Sequence, residues 1–503
     1  MELDVLFASL AQVAHWKVMA GAVVGVLVGI IVAVTPGLTG VMAVALALPF
    51  TFFLDSTTSM AVLLGIYVTA LYGGSVTAIM IATPGTPNAA ATMLDGYPMA
   101  RQGRARQALE MALFASITAG VVSTAVAMAI FPVVAGFALQ FGPPEMFALI
   151  VFAITIISGV SGESLLKGFI AAVLGFLIAT VGQDVLYGSS RFTFGTVGLL
   201  GGLHILPIMI GLFTIPEIVI RCVEAARAKA QTSVGEIGRG LRLKEYLGQW
   251  ATYIRSAGIG SLLGALPGIG GSPAAFLSYF MAQRFSKTPE KFGKGALEGV
   301  AAAEAGNNSV CGPALVPMMS LGIPGDMTTA VIMGALIIHG LAPGPTLFER
   351  QPEFVYSVFL LLFLCLFVLL FVGLGVVRLA NRIVQVPLKI LFPVVLVFAT
   401  FGSYAIRNSM ADVVAMFAIG VLGFFMRLRG IPAAPFAIAF ILGPLLEANL
   451  RRSLLMSRGS LEIFFESNLS LTFLSLGVVS ALATVIAHHR MKGPMRAMTT
   501  TDS

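Results

Sequence analysis

Apolar runs separated by short polar loops fill nearly the whole chain. The first half opens with a run from Val18 to Leu54, interrupted at Pro36-Gly37, and continues with Met60 to Ala82, interrupted at Pro84-Gly85. Plain runs follow around Ala108 to Val134, Met146 to Val160, Gly168 to Val181 and Thr196 to Ile220. The second half repeats the plan: Gly258 to Met281 is interrupted at Pro267-Gly268 and Ala296 to Leu341 at Pro324-Gly325. Runs around Phe354 to Val377, Leu388 to Tyr404, Val413 to Met426 and Ile431 to Leu446 come next, and one near Leu469 to Ala487 has no partner. A perpendicular membrane helix needs roughly 20 apolar residues. The pattern therefore predicts an all-α polytopic membrane protein with about 10–12 crossings, arranged as two repeats containing broken helices or re-entrant hairpins. The expected division is a first transmembrane repeat over 1–220, a cytoplasmic linker with an amphipathic segment over 221–255, a second repeat over 256–450, and an extra span with a cytoplasmic tail over 451–503.

Composition agrees. With 57% hydrophobic and 11% charged residues over 503 positions and a mean hydropathy of +0.95, the chain cannot present an ordinary soluble surface. The 55 glycines suit close helix approach in a bilayer. The net charge of +7 comes from basic residues in short loops, not from one face of a domain, so it points to cytoplasmic loops and not to nucleic acid. Cys222, Cys311 and Cys365 show no metal-ligand spacing and read as free, buried thiols. Glu2 and Asp4 without a basic stretch do not resemble a cleaved signal peptide.

The basic loops also set orientation. Arg101, Arg104 and Arg106, the linker, Arg284 to Lys294, Arg378 to Lys389, Arg427 to Arg429 and the tail are expected inside; the loops near Asp55, Asp184, Glu349 and Glu466 are expected outside. If the first interrupted run of each half is a hairpin, the halves are inverted copies. Arg451, Arg452 and Arg458 on the outer side count against that scheme.

Four Pro-Gly clusters carry the candidate chemistry. Proline removes a backbone donor and glycine releases the chain from helical geometry. Inside a bilayer such a break is tolerated only where the freed groups line a cavity or are buried in protein, and paired breaks in two halves point to a transporter's binding site. A helix restarting after the break offers N–H groups and a positive dipole end to an anion. The candidate substrate residues are Thr35, Pro36, Gly37, Thr39, Gly40, Thr83, Pro84, Gly85, Thr86, Asn88, Gly268, Gly270, Gly271 and Ser272. Single kinks relieved by threonine hydroxyls are the plainer reading of each break taken alone.

The candidate ion-coupling residues are Asn307, Asn308, Ser309, Pro324, Gly325, Asp326 and Thr328, with Asn307, Asn308 and Asp326 as candidate sodium ligands. Adjacent asparagines on a helix cannot both face one point, and a helix cap or an interhelical bond would also explain them. Asp326 reads as a sodium ligand, a proton carrier or an N-cap. Glu298 and Glu304 are placed near the membrane interface, and His339 is read as structural. The chain contains no P-loop, H-E-x-x-H or G-x-S-x-G motif, so it reads as a carrier driven by a sodium or proton gradient and not as an enzyme; no cofactor is implied.

The segments Thr83 to Ala90 with Asp95-Gly96-Tyr97-Pro98, Gly264 to Gly270, and Glu304 to Phe348 closely resemble the large membrane subunit of the tripartite tricarboxylate transporter family. The resemblance implies a multi-pass permease of the bacterial inner membrane that works with a small membrane subunit and a periplasmic solute-binding protein. It also implies import of carboxylates coupled to a cation gradient. A cation/proton antiporter, which would also use broken helices and a lone Asp, remains an alternative, as does a structural membrane subunit.

Overall fold

In the computed structural model, residues 2–35, 38–160, 164–184, 188–227, 238–383, 388–405 and 407–499 are described. The first half runs through α1 (Glu2–Val13), α2 (Trp16–Ala33), α3 (Gly40–Thr51), α4 (Ser56–Ile81), α5 (Ala89–Met99), α6 (Ala105–Ala138), α7 (Pro143–Val160), α8 (Leu165–Ala179) and α9 (Ile205–Arg227). A small antiparallel pair, β1 (Gly182–Gln183) and β2 (Ser190–Arg191), precedes α9 and is the one departure from an all-helical chain among the described residues. The second half contains α10 (Leu243–Leu247), α11 (Trp250–Gly264), α12 (Gly271–Phe285), α13 (Leu297–Asn308), α14 (Cys311–Leu321) and α15 (Met327–Ile338). It closes with α16 (Pro345–Arg350), α17 (Pro352–Ile383), α18 (Leu388–Ala405), α19 (Met410–Leu428), α20 (Ala433–Met456), α21 (Ile463–Glu466) and α22 (Asn468–Thr499).

By length and composition, eight helical stretches among the described residues can cross a membrane: α2, α4, the α5–α6 stretch, α7, α17, α19, α20 and α22. Shorter apolar helices include α3, α8 and α15. The difference from the expected count has two sources: the plain runs in α8, α9 and α18 form apolar helices of only Leu165–Ala179, Ile205–Ile220 and Phe392–Ala405, and at the Pro-Gly clusters Gly258 to Met281 is divided into α11 and α12 and Ala296 to Leu341 into α13, α14 and α15. The chain is thus a polytopic, all-α membrane protein.

Three helices, α4, α13 and α14, form the centre. The apolar window of α4 is 100% buried, against 11% for that of α22, which lies at the outside of the bundle. Asp55 starts α4 by accepting the Thr58 N–H at 2.9 Å. Ala82, at φ 53°, ends it in the left-handed region. In the second half α13 and α14 take the central place, and α14 ends at Gly322 in the same left-handed conformation (φ 71°).

The central helices are approached by glycine-bearing neighbours. A Cβ on Gly25 would lie 2.2 Å from the Val62 carbonyl oxygen, and one on Gly29 would lie 2.8 Å from Ile66 Cα. With lipid as solvent, such close backbone contact supplies the packing energy that the hydrophobic effect supplies in water. Matching contacts recur in the second half. Gly29 faces Ile66 and Thr69 as Gly260 faces Gly306 and Ser309. Gly85 lies against the Ala33 carbonyl and Gly74 Cα, as Gly325 lies against the Gly264 carbonyl and Ala314 Cα.

The basic segment around Arg101 to Arg106 meets two other basic segments, the loop before α13 and the end of the linker. Gln102 donates to the Lys294 carbonyl at 2.8 Å and Arg104 to the Gly295 carbonyl at 3.3 Å. The Leu241 N–H donates to Glu110, which also pairs with Arg106 at 2.7 Å. Beside Leu241, Arg239 hydrogen-bonds Glu245 and holds its carboxyl down to about 2. Helix α9 extends to Arg227 and α11 begins at Trp250, so both ends of the expected linker are helical. Arg451, the charge that counted against the outward assignment, lies 2.8 Å from Asp184 and 2.6 Å from Glu447. Arg191 joins the same cluster through Glu447 at 2.8 Å. The thiols differ from expectation in one respect: Cys311 and Cys365 are free and buried, but Cys222 is free and exposed, because it lies on the last turns of α9 beyond the packed body.

Candidate functional site

Helix starts are the places where backbone donors are left over, and the chain treats its four restarts differently. At α3, Thr39 caps the helix by accepting the Met42 N–H at 3.3 Å. At α15, Asp326 Oδ1 accepts the Thr329 N–H at 2.7 Å and the Thr329 hydroxyl donates back to the helix start. The starts of α5 and α12 have no side-chain cap: Asn88 at the N-cap of α5 turns elsewhere, and the N-cap of α12 is Gly270 at φ 68°. Only glycine takes that conformation without strain.

Asn88 links these two uncapped starts. Its Nδ2 donates to Asn307 Oδ1 at 2.8 Å and its Oδ1 accepts from Ser272 Oγ at 2.5 Å. A Cβ on Gly271 would lie 2.5 Å from Asn88 Nδ2 and 2.7 Å from Asn307 Oδ1, so the α12 start abuts the amide pair. Asn307 is wholly buried and donates its Nδ2 to the Leu71 carbonyl at 3.2 Å. Asn88, Ser272, Gly270 and Asp326 are half-buried, while Pro87 and Pro273 reach the surface. The Thr86 hydroxyl, two residues before Asn88, is buried without a hydrogen-bond partner.

Asp326 stands close by, its Cβ 3.5 Å from the place a Cβ on Gly270 would take. Besides capping α15, it accepts the Tyr67 hydroxyl on Oδ2 at 2.6 Å. Tyr67 lies on α4, so the carboxylate joins the two halves. Gly85 N–H donates to the Gly74 carbonyl at 3.1 Å, and Gly268 N–H to the Gly325 carbonyl at 2.7 Å. Pro324, Gly325 and Thr328 are buried around Asp326, whereas Thr83 and Pro84 are half-buried.

Other sequence candidates lie apart. Thr35 donates back to the Ile31 carbonyl at 2.8 Å at the end of α2, and Gly40 brings the start of α3 against Ala70 of α4. Pro36 and Gly37 lie outside the described residues. Ser309 donates to the Gly306 carbonyl at 3.1 Å within its own helix. The adjacent asparagines separate: Asn308 donates Nδ2 to Ser116 Oγ at 2.8 Å on α6, away from Asn88.

Glu304 corrects an expectation. It is not interfacial but wholly buried, because α13 is enclosed by α4, α5, α6, α11 and α12. Its carboxylate accepts from Ser75, from Thr92 at 2.5 Å and from Ser116 at 2.9 Å. Glu298 is half-buried and bonded to Thr252 and Ser286 at 3.1 and 2.7 Å. Tyr67 is absent from the sequence candidates, and Asp95 appears there only within the family-like segment Asp95-Gly96-Tyr97-Pro98, with no role of its own. Asp95 accepts the Gly295 and Ala296 N–H groups, each at 2.8 Å, and the Tyr279 hydroxyl at 2.9 Å. A carboxylate at an Asp-Gly pair inside a helical run was the available signal.

The profile of the "Tripartite tricarboxylate transporter TctA family" matches residues 19–438. The chain is 38% identical over 479 residues, covering 93% of each chain, to an "Uncharacterized 52.8 kDa protein in TAR-I ttuC' 3'region" of Agrobacterium vitis. It is 36% identical over 233 residues, 46% of this chain and 96% of the other, to an "Uncharacterized protein in TAR-II ttuC' 3'region" of the same organism. No solved structure matches. With a profile that spans both pairs of breaks and a full-length relative beside it, the chain belongs to the tripartite tricarboxylate transporter TctA family.

Proposed function

We propose that this chain is the permease of a cation-coupled importer of di- or tricarboxylates in the bacterial inner membrane, fed by a periplasmic binding protein and assembled with a small membrane subunit. One observation carries the reading. The uncapped starts of α5 and α12 meet at Asn88, Ser272 and Asn307, with the free Thr86 hydroxyl adjacent. Such a place offers backbone N–H groups, amide and hydroxyl donors and two positive dipole ends to a carboxylate. The starts of α3 and α15 are already occupied by the side chains of Thr39 and Asp326. Asp326 instead suits the coupling ion, with Asn307 as its neighbour across the site.

Uptake by purified permease and small subunit in vesicles, with and without the binding protein and with sodium or proton gradients imposed separately, tests the proposal. Saturable carboxylate uptake is expected only with all three components and a cation gradient. Robust uptake without the binding protein refutes the three-component reading, and cation exchange without carboxylate uptake supports an antiporter.

The matched contacts of the two halves support a repeat, and the basic loop at Arg101 to Arg106 set against the loop near Glu349 favours its inversion. Single cysteines at Gln102 and Gln351 should then label from the cytoplasmic and periplasmic sides, respectively. Labelling of both from one side eliminates the inversion.

A further inference from the structure

Glu304 is left unused by the site above. Its three hydroxyl partners come from separate helices: Ser75 from α4, Thr92 from α5 and Ser116 from α6. No cationic side chain among the described residues pairs with it. Asn308, one turn further along α13 and on the same face, donates Nδ2 to Ser116 Oγ, and its Oδ1 is buried without a partner. Exchanging the amide's oxygen and nitrogen would only move the vacancy to the other atom. The Tyr72 hydroxyl, one turn before Ser75, is also buried and unpartnered.

A carboxylate enclosed without a counter-charge is costly, and the surroundings supply oxygens in place of a basic residue. We propose that Glu304, Ser75, Thr92, Ser116 and Asn308 form a binding site for a dehydrated sodium ion, separate from Asp326. The donor set is hard oxygen throughout, which suits such an ion. Hydroxyls that donate to the carboxylate can rotate and present lone pairs to a cation. One carboxylate balances one positive charge, and no group of three His, Cys, Asp or Glu side chains among the described residues would favour a transition metal or a more highly charged ion. A proton would neutralise Glu304 but has no use for so many converging oxygens. The inference rests on the cation-coupled reading and adds to it a second cation site, specific for sodium.

The test uses the purified full chain without any carboxylate, so its outcome is independent of carboxylate import. Thermal unfolding is followed while sodium chloride replaces choline chloride at constant ionic strength and pH. A ligand that binds only the folded state raises the melting temperature. The comparison is made in an Asp326→Asn background, which removes the charge of the other candidate ion site and leaves all the ligands proposed here in place, and a saturable, sodium-specific rise is expected there. Glu304→Gln keeps the shape and removes the charge, and the rise should disappear. Ser116→Ala and Asn308→Ala should each raise the sodium concentration needed by roughly 10–100-fold, and they keep the test open if Glu304→Gln fails to fold. The proposal is overturned if the Asp326→Asn protein shows no sodium-specific rise or if the rise survives when Glu304→Gln is added to it. A stabilisation that follows pH and ignores sodium overturns it in favour of a proton.

Discussion

Replacing Gly25 by leucine is expected to prevent the permease from reaching a stable fold. A Cβ there would lie 2.2 Å from the Val62 carbonyl oxygen and 2.8 Å from Val62 Cα, and these are backbone atoms of the fully buried α4. A side-chain clash can be relieved by a new rotamer, but here α2 itself must withdraw. Withdrawal would open the contact at Gly29 and at Gly65, whose own Cβ would lie 2.9 Å from Val26 N. Overpacked cores typically lose about 1–3 kcal/mol, and losing the seam between two central helices should exceed that range. Against a total stability of roughly 5–15 kcal/mol, most molecules should fail to fold. Gly136→Ala and Gly375→Ala serve as controls, since nothing lies within 4 Å of either added Cβ. Size-exclusion profiles and melting of the extracted protein should show Gly25→Leu aggregated and both controls intact. A monodisperse Gly25→Leu with wild-type melting would mean that α2 does not pack on α4 as described.

Asp326 should divide stability from coupling. Alanine removes the acceptor of the Thr329 N–H and of the Tyr67 hydroxyl at once. Loss of a cap costs about 0.5–2 kcal/mol, and the stranded Tyr67 hydroxyl adds about 1–3 kcal/mol, so Asp326→Ala should melt early and transport poorly. Asparagine retains an oxygen for the cap and a polar group for Tyr67 but carries no charge. Asp326→Asn should therefore fold nearly as well as the wild type while its uptake loses dependence on the cation gradient. Melting curves paired with uptake under imposed gradients make the comparison. Uptake by Asp326→Asn with unchanged ion dependence would leave Asp326 as a cap and nothing more.

What could be read in advance follows from how far each signal reaches. Pro84-Gly85 and Pro324-Gly325 are local signals, and they fall where α4 and α14 stop. Asp326 beside Thr329 is local too, and the N-cap among its three readings could be stated from four residues. Glu304 was misplaced because everything that defines it is remote: Ser75, Thr92 and Ser116 are 229, 212 and 188 residues away. The separation of Asn307 from Asn308 was foreseeable in kind, since neighbours on a helix point in different directions. Which one meets Asn88 and which meets Ser116 depends on how α13 is rotated among five helices, and no local pattern encodes that rotation.

The span of 229 residues between Ser75 and Glu304 also bears on how the chain is made. At ribosomal rates of about 5–20 residues per second, α4 waits roughly 10–45 s in the bilayer before Glu304 is synthesised. During that interval Ser75, Tyr67 and the carbonyl of Leu71 have none of their eventual partners from the second half. The newborn first half therefore holds polar groups that lipid cannot satisfy. That makes it a natural client for insertion chaperones and a ready target for membrane proteases until the second half arrives.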